Sequence, residues 1–254
     1  MKDPTTRFSD RIDNYIRYRP SYPAAAIDLL VAKCSLDTDS VVADVGSGTG
    51  ILTRQLLDRE LSVIAVEPNT AMRNAAEELL SGYSRMTSIA ATAEDTSLAS
   101  DSVDLIVAGQ AFHWFDQDAC RREFSRILRA QGQVALIWNE RLVDATLFQR
   151  EYEACLRRHS RDYGSVDHRN IGPAEISCFF SPDAHEVHHF PNEQRFDLEG
   201  LVGRCVSSSY MPNEGSPDYT PLVEDLSRLF NAHQAQGMIC IEYTTSVYLG
   251  HLSA

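Results

Sequence analysis

The feature that most constrains this chain is the segment VVADVGSGTG, residues 41–50, read together with Glu67 at the end of LSVIAVE. An apolar run enters Asp44, and Gly46, Gly48 and Gly50 follow at every second position. Residues 51–59 then carry helical spacing, and a second apolar run ends in a carboxylate. This is how a βαβ unit builds a nucleoside pocket. Glycine has no Cβ and lets the backbone approach a ligand. The helix that follows presents unpaired N–H groups at its start. A carboxylate about 20 residues on accepts hydrogen bonds from ribose hydroxyls.

A dinucleotide fingerprint requires G-x-G-x-x-G/A. From Gly46 that pattern meets Gly48, but its third position is Ile51, and the glycine falls at Gly50. The spacing therefore disfavours a nicotinamide-dependent oxidoreductase, which stays as an alternative.

At 254 residues, 43% of them apolar, the chain suits one large domain with a substantial core. A formal net charge of −13 disfavours tracking of a nucleic-acid backbone, which needs a clustered basic surface. The cysteines, Cys34, Cys120, Cys155, Cys178, Cys205 and Cys240, are scattered with no C-x-x-C, as suits free thiols in a reducing compartment. Residues 1–20 lack the apolar core of a secretory signal, and no stretch approaches the ~18–20 apolar residues of a membrane span. The expectation is a soluble cytoplasmic protein, monomer or homodimer, with neither nucleic acid nor membrane as partner.

Periodicity predicts a helix over residues 11–18, a break at RPSYP, and a helix over AAAIDLLVAK started by Pro23. Apolar runs predict strands over 41–45, 61–66, 87–91, 102–108 and 133–138. Their continuity suits parallel strands covered on both faces. Helices are expected over 50–59, over 70–80 with Asn69 as cap, and over 116–129, where Gly132 breaks the pattern. Residues 141–182 read as helical and then irregular. A sixth strand is expected over 186–196, a helix over 222–234, and a closing β run over 239–249. The alternation indicates an α/β fold with a doubly wound, mostly parallel sheet.

In such sheets the ligand sits beyond the carboxyl ends of the strands, at the switch in strand order. The segments expected there are Gly46-Ser47-Gly48-Thr49-Gly50, Glu67-Pro68 with Met72 one helical turn later, Thr92-Ala93-Glu94-Asp95, and Gly109-Gln110-Ala111-Phe112-His113-Trp114.

In that order, DVGSGTG, VEPN, ATAED and AGQAFHWFD resemble the cofactor-binding segments of class I S-adenosylmethionine (SAM) methyltransferases acting on small molecules. FSDRIDNYIRYRPSYP, SSSYMP and IEYTTSVYLGHL are similar to further segments of that family. The likeness is closest to its trans-aconitate and ubiquinone-biosynthesis methyltransferase-like members, and weakest over residues 141–200. It implies a Rossmann-like seven-stranded methyltransferase fold and a single domain over residues 1–254. Residues 1–33 would be a helical lid, 34–140 a SAM-binding core, and 141–254 a helical insertion with sheet-closing strands. It implies SAM as cofactor far more firmly than any acceptor.

Carried onto this chain, the resemblance places Gly46 and Gly48 along the methionine part of SAM, with Asp44, Ser47, Thr49 and Gly50 in the same cofactor site. Glu67 would hold the ribose hydroxyls, Pro68 and Met72 would pack near the adenosine, and Ala93 and Glu94 would flank the adenine. Gln110, followed by Ala111, would sit near the methionine moiety. Tyr15 and Arg19 would close over the cofactor. Arg19 suits the SAM carboxylate or, alternatively, a surface ion pair. The leader, residues 1–23, with Phe8, Tyr15, Arg17, Tyr18 and Arg19, is expected to be a lid that orders on cofactor binding.

Methyl transfer asks chiefly for alignment and exclusion of water. An acceptor oxygen or nitrogen that begins protonated calls for a base, and His113 is the candidate by position. It would act either as that base or as a group that only hydrogen-bonds the acceptor. Trp114 and Tyr210, with Trp138, are candidates for an apolar acceptor pocket, and Trp114 reads equally as core. The reading is methyl transfer to a small molecule, at oxygen. The alternatives are a SAM-binding scaffold or regulatory protein without turnover and the oxidoreductase above. No Asn-Pro-Pro-Tyr or Asp-Pro-Pro-Tyr follows the fourth strand and no Pro-Cys pair occurs, so methylation of DNA bases lacks its usual residues. His185 and His189 would share one strand face with His188 on the other. No Cys or carboxylate cluster accompanies them in the sequence, so no metal site is expected.

Overall fold

The computed structural model describes residues 12–160 and 171–253. Strands β1 (Val41–Val45), β2 (Ser62–Val66), β3 (Met86–Ile89), β4 (Val103–Gly109) and β5 (Leu128–Arg141) run parallel to their neighbours. β7 (Ile239–Gly250) lies antiparallel between β5 and β6 (His185–Phe196). The sheet has seven strands in the order β3-β2-β1-β4-β5-β7-β6. The chain winds outward from β1 through β2 to β3 and returns to β4 on the other side of β1. The switch point is therefore the gap between the carboxyl ends of β1 and β4.

The helices among the described residues are α1 (Ile12–Tyr18), α2 (Ala24–Lys33), α3 (Ile51–Leu57), α4 (Thr70–Leu79), α5 (Gln117–Ile127), α6 (Leu147–His159), α7 (Pro173–Phe180), α8 (Leu198–Val206) and α9 (Tyr219–His233). Consecutive strand residues serve opposite cores. Val42, Leu105, Val107 and Ile137 pack with Ile27 and Leu30 of α2 and Leu52 and Leu56 of α3. Ala43, Val45, Ile106 and Leu136 pack with Phe124 of α5 and Phe179 and Phe180 of α7. This double covering is why the strands read as unbroken apolar runs. A third core joins α6, α8 and α9 to Ile239, Ile241 and Tyr243 of β7.

The structure corrects the sequence reading in several places. Helix α5 ends at Ile127 and passes directly into β5, so Gly132 lies inside that strand. While β4 advances from Val103 to Leu105, its partner on β5 advances from Leu128 to Gln133, and the extra residues form an irregularity around Gly132. Helix α8 was not expected; the Asp197 side chain caps it by accepting from the Gly200 N–H at 2.8 Å. Trp138, expected in the acceptor pocket, is 3% exposed and packs edge-on against Phe112 and Tyr248. It shares the face of β5 that carries Val134 and Leu136, so strand parity commits it to the core.

Part of the leader is strapped down. The Ser21 carbonyl accepts from Asn139 at 3.2 Å and from Asn192 at 2.8 Å, and the Gln55 amide brackets the backbone of Tyr22. The Tyr18 carbonyl accepts from Gln194 at 3.1 Å, and Tyr22 is buried. Within the expected lid, Tyr18, Ser21 and Tyr22 are thus tied to β5, β6 and α3. Phe8 lies outside the described residues.

The loop after β3 is anchored to α5. Thr96 donates from its backbone N–H at 2.8 Å and from its hydroxyl to the buried Glu123 carboxylate, which Arg126 also binds at 2.7 Å. Burial opposes ionisation of Glu123, but the Arg126 and Thr96 bonds prevail and lower its pKa from 4.5 to about 2. A folded-state pKa below the unfolded one confers stability that is complete above about 4.5 and is lost as pH falls toward 2. Glu123→Gln is expected to destabilise the protein at pH 7 by roughly 1–3 kcal/mol. In urea melts at a series of pH values, the deficit should shrink as the buffer is acidified through that window.

Candidate functional site

The glycine-rich loop closes off β1. The N–H groups of Gly46 and Ser47 both donate to the Val66 carbonyl, at 2.9 and 3.2 Å, tying the loop to the end of β2. Gly46 has φ +71° and Gly50 φ +81°, values that L side chains rarely adopt. A Cβ on Gly46 would lie 2.6 Å from Ala111 Cβ, and one on Gly50 2.7 Å from Leu80 Cδ1. These two glycines thus make room for protein atoms. The position with open space beside it is Gly48, whose nearest neighbour would be Met72 Sδ at 3.9 Å.

Glu67 directly follows β2, and both its carboxylate oxygens are held by backbone. Oε2 accepts from the Gly48 N–H at 2.9 Å and Oε1 from the Asn69 N–H at 2.8 Å. Asn69 in turn caps α4, its side chain accepting from the Met72 N–H at 3.0 Å. Glu67 is 7% exposed. Burial raises its pKa, and the two N–H bonds and Arg73 oppose that rise. Each carboxylate oxygen has a further lone pair, so a fixed double acceptor borders the crevice.

Asp44 lies deeper, 1% exposed, and accepts from Thr53 Oγ1 at 2.6 Å. Burial pushes its pKa up to about 7, with the Thr53 bond opposing and the Glu67 charge adding. Beside it the Ser47 and Thr49 hydroxyls are buried with no hydrogen-bond partner among the described residues. These orphaned hydroxyls and the acidic floor fit the polar, partly cationic amino-acid end of a nucleoside cofactor.

The structure gathers most of the expected cofactor residues. Tyr15, Gly46, Gly48, Glu67, Pro68, Met72, Ala93, Glu94, Gln110 and Ala111 line one crevice, with Trp114 and Phe115 in its wall. Asp44, Ser47 and Thr49 line a narrow extension of it. Gly50 and Arg19 lie on the other side of the loop, beside a neighbouring pocket that Thr49 also lines. Trp114 therefore stands with Ala93 and Glu94 in the wall of that crevice. Glu94 accepts from the Asp116 N–H at 2.9 Å, at the start of α5. Gln110 has φ +55°, and its amide donates to the Asn139 carbonyl at 3.0 Å. His113 lies on a single 3₁₀ turn, Phe112–Trp114, with its ring 4.7 Å from that of Trp114. Tyr210 stands near Arg19 and Arg204 and is not among the crevice residues.

Thr92 and Gly109, expected among the segments at the strand ends, line the crevice, as do Asn69 and Phe115, which sequence reasoning did not assign to the site; Tyr22, also unassigned, lines its extension. A signal for Tyr22 was present in RPSYP. It explains Gly109, where a Cβ would meet Tyr22 Oη at 2.5 Å.

The three histidines of β6 do not converge. His185 stacks on Phe180, His188 contacts Glu186 at 2.8 Å, and His189 contacts Ser246 at 3.1 Å. A separate group, Cys155, His159 and Asp225, brings its donor atoms within 4.8 Å of one another between α6 and α9. Its carboxylate is already engaged by His159 at 2.7 Å and by Arg158 and Arg228, cations that oppose a metal ion there.

Comparison with known proteins agrees with this geometry. Residues 43–136 match the family model of a methyltransferase domain. An uncharacterised methyltransferase of Mycobacterium tuberculosis is 36% identical over 140 residues, 55% of each chain. The chain thus spans about half the length of the curated relatives it matches. A solved structure from Anaeromyxobacter dehalogenans, described provisionally as a type II methyltransferase, superposes with a TM-score of 0.70 at 22% identity, covering 93% of this chain and 100% of that one. Phosphoethanolamine N-methyltransferase 2 of Haemonchus contortus, solved in complex with S-adenosyl-L-methionine, gives a TM-score of 0.60 at 16% identity, covering 98% and 60%. At these identities the two structures share the fold. Among the described residues no helix is long and apolar enough to cross a membrane.

The crevice floor makes a prediction of its own. With a folded-state pKa of about 7 against 3.8, Asp44 keeps a proton that the unfolded chain has lost. Its burial therefore costs nothing below about pH 4 and costs progressively more as pH rises to 7, after which the penalty is constant. Asp44→Asn, which preserves an acceptor for Thr53, is expected to stabilise the ligand-free protein at pH 8 by up to roughly 4 kcal/mol. The gain should vanish near pH 4, as read from melting curves of both proteins.

Proposed function

We propose, on the premise that this chain carries a methyltransferase domain of the class I SAM-dependent family, that it transfers a methyl group to a small organic acceptor, at an oxygen atom. The observation that carries the reading is the Glu67 carboxylate, fixed by the Gly48 and Asn69 N–H groups at the edge of the crevice. Bound SAM supplies a methyl group already activated by its sulfonium centre. Glu67 takes the ribose hydroxyls through its free lone pairs. Met72 and Phe115 pack beside the nucleoside, and Ala93, Glu94 and Trp114 border the base. Asp44, Ser47 and Thr49 receive the amino-acid end, and Arg19 pairs with its carboxylate. His113, on the turn after β4, holds or takes the proton of the acceptor hydroxyl. Holding two reactants in line in a site shut from water supplies on the order of 7–11 kcal/mol, so the residues here act mainly by placement. The six cysteines are all free, which supports a reducing compartment such as the cytoplasm.

Calorimetric titration of SAM and of S-adenosylhomocysteine tests the reading. Both should bind the folded parent. Glu67→Ala removes charge-assisted bonds of roughly 1.5–3 kcal/mol each and should weaken both ligands by at least about tenfold while a cooperative melting transition is retained. Equal affinity in parent and variant would overturn the assignment of Glu67. His113→Ala should leave SAM affinity intact and reduce turnover on an identified acceptor by about 10²- to 10⁴-fold if His113 is the base.

A further inference from the structure

Tyr22 is held more firmly than a surface leader requires. Pro23 follows it directly, and a residue before proline is biased to extended backbone. The Gln55 side chain of α3 accepts from the Tyr22 N–H at 3.0 Å and donates to the Tyr22 carbonyl at 2.7 Å. Asn139 and Asn192 donate to the neighbouring Ser21 carbonyl at 3.2 and 2.8 Å. The backbone is thus fixed on both sides of the Tyr22 Cα, and with it the direction of the side chain. Tyr22 is 6% exposed, yet its hydrogen bonds among the described residues are those of its backbone. A buried phenol ordinarily finds a partner for its hydroxyl. Burial, with Tyr15 and Asp44 adding and Arg19 opposing, holds the pKa of this one well above 10, so it keeps its proton and does not serve as a base at neutral pH.

The place of the hydroxyl says what it meets. The crevice and its narrow extension share Tyr15, Gly46, Gly48 and Gly109. With the nucleoside toward Glu67 and Met72 and the amino-acid end toward Asp44, Ser47 and Thr49, the sulfur that joins them belongs at the residues common to both spaces. Gly109 ends β4 at the switch point, and Tyr22 Oη lies 2.5 Å from where a Gly109 Cβ would stand. Tyr22 itself lines the extension. Its hydroxyl therefore stands at the junction, and Gly109 lacks the Cβ that would push it away. The Gly46 and Gly48 N–H groups there are engaged by the Val66 carbonyl and the Glu67 carboxylate, and the Tyr15 ring carries the Arg19 guanidinium at 4.9 Å. Tyr22 Oη is a junction oxygen whose lone pairs are open.

We infer that the Tyr22 hydroxyl oxygen contacts the sulfonium methyl of bound SAM, and that through this contact the site distinguishes the charged cofactor from its neutral product. This rests on the methyltransferase reading and adds a specificity-determining residue to it. The sulfonium charge is shared by the methyl hydrogens, which makes them C–H donors toward an oxygen held in place. A fixed oxygen also restricts the direction of the methyl group, and alignment is what transfer chiefly needs. S-adenosylhomocysteine has neither the methyl group nor the charge, so it gains nothing from Tyr22 Oη. The site discriminates by a contact that one ligand makes and the other cannot.

The test titrates the whole chain with SAM, S-adenosylhomocysteine and sinefungin, an analogue that carries a primary amine where SAM carries its methyl group. Binding is read by calorimetry in the parent and in Tyr22→Phe, which keeps the ring and removes only the oxygen. The variant should weaken sinefungin, whose ammonium donates strongly, by at least about tenfold. It should weaken SAM by about three- to tenfold and S-adenosylhomocysteine by less than about twofold. Equal loss for all three ligands would mark Tyr22 as a packing residue and overturn the proposal, as would no loss for any. If Tyr22→Phe does not melt cooperatively, ¹³C-methyl SAM bound to the parent decides by NMR. Methyl protons displaced downfield of the free cofactor support the contact, and unmoved or upfield protons overturn it. Binding of S-adenosylhomocysteine by the parent upholds the cofactor reading whichever way Tyr22 behaves. If the parent binds none of the three ligands, that reading and this inference fall together.

Discussion

Two backbone N–H groups, those of Gly48 and Asn69, hold the Glu67 carboxylate, and the rest of the crevice is arranged around that grip. The Gly48 N–H reaches Glu67 because the loop backbone turns through left-handed conformations at Gly46, Gly48 and Gly50. Asn69 donates to Glu67 from its backbone while its side chain starts α4. Loop, strand end and helix start are thus one hydrogen-bonded unit. The buried carboxylate would be costly alone. The two donors offset that cost and also fix the direction of the lone pairs that a ribose would use.

The electrostatics of the site divide in two. Its floor is acidic: Asp44 and Glu67 are buried close enough for the Glu67 charge to raise the Asp44 pKa. Away from that floor, Arg19, the residue after α1, meets Arg204 of α8 at Ser207. An acidic floor suits cationic centres, and a guanidinium suits carboxylates. SAM carries both kinds of charge. The sequence net charge of −13 conceals this arrangement, because composition does not report which charges are desolvated.

The parallel core was legible because its physics is local. β1 falls where its apolar run predicts, and Asn69 caps α4 as its residue type predicts. Helix α8 escaped notice because Gly200 and Gly203 depress helix propensity within it. Gly203 is required there by a distant contact, since a Cβ would lie 2.1 Å from the Tyr18 ring. The continuation of β5 through Gly132 is likewise set by pairing with β4 and overrides the local breaker. Trp138 misled because a strand buried on both faces offers no polar alternation from which to read its direction. The glycines were recognised, but their spacing could not say that Gly46 and Gly50 yield to Ala111 and Leu80 while Gly48 faces open space. Arg19 and Arg204 lie far apart in the chain, and nothing in the chain order announces that they meet at Ser207.

The central claim is that Glu67 and its two N–H donors form the nucleoside-binding edge of this fold. Backbone amide NMR of the ¹⁵N-labelled protein during titration with S-adenosylhomocysteine tests it most directly, because Gly48 and Asn69 each report through their own N–H. Saturable shifts of both resonances, together with those of Ser47 and Thr49, are predicted. Binding that leaves the Gly48 and Asn69 amides unmoved, or no binding at all, would contradict the account.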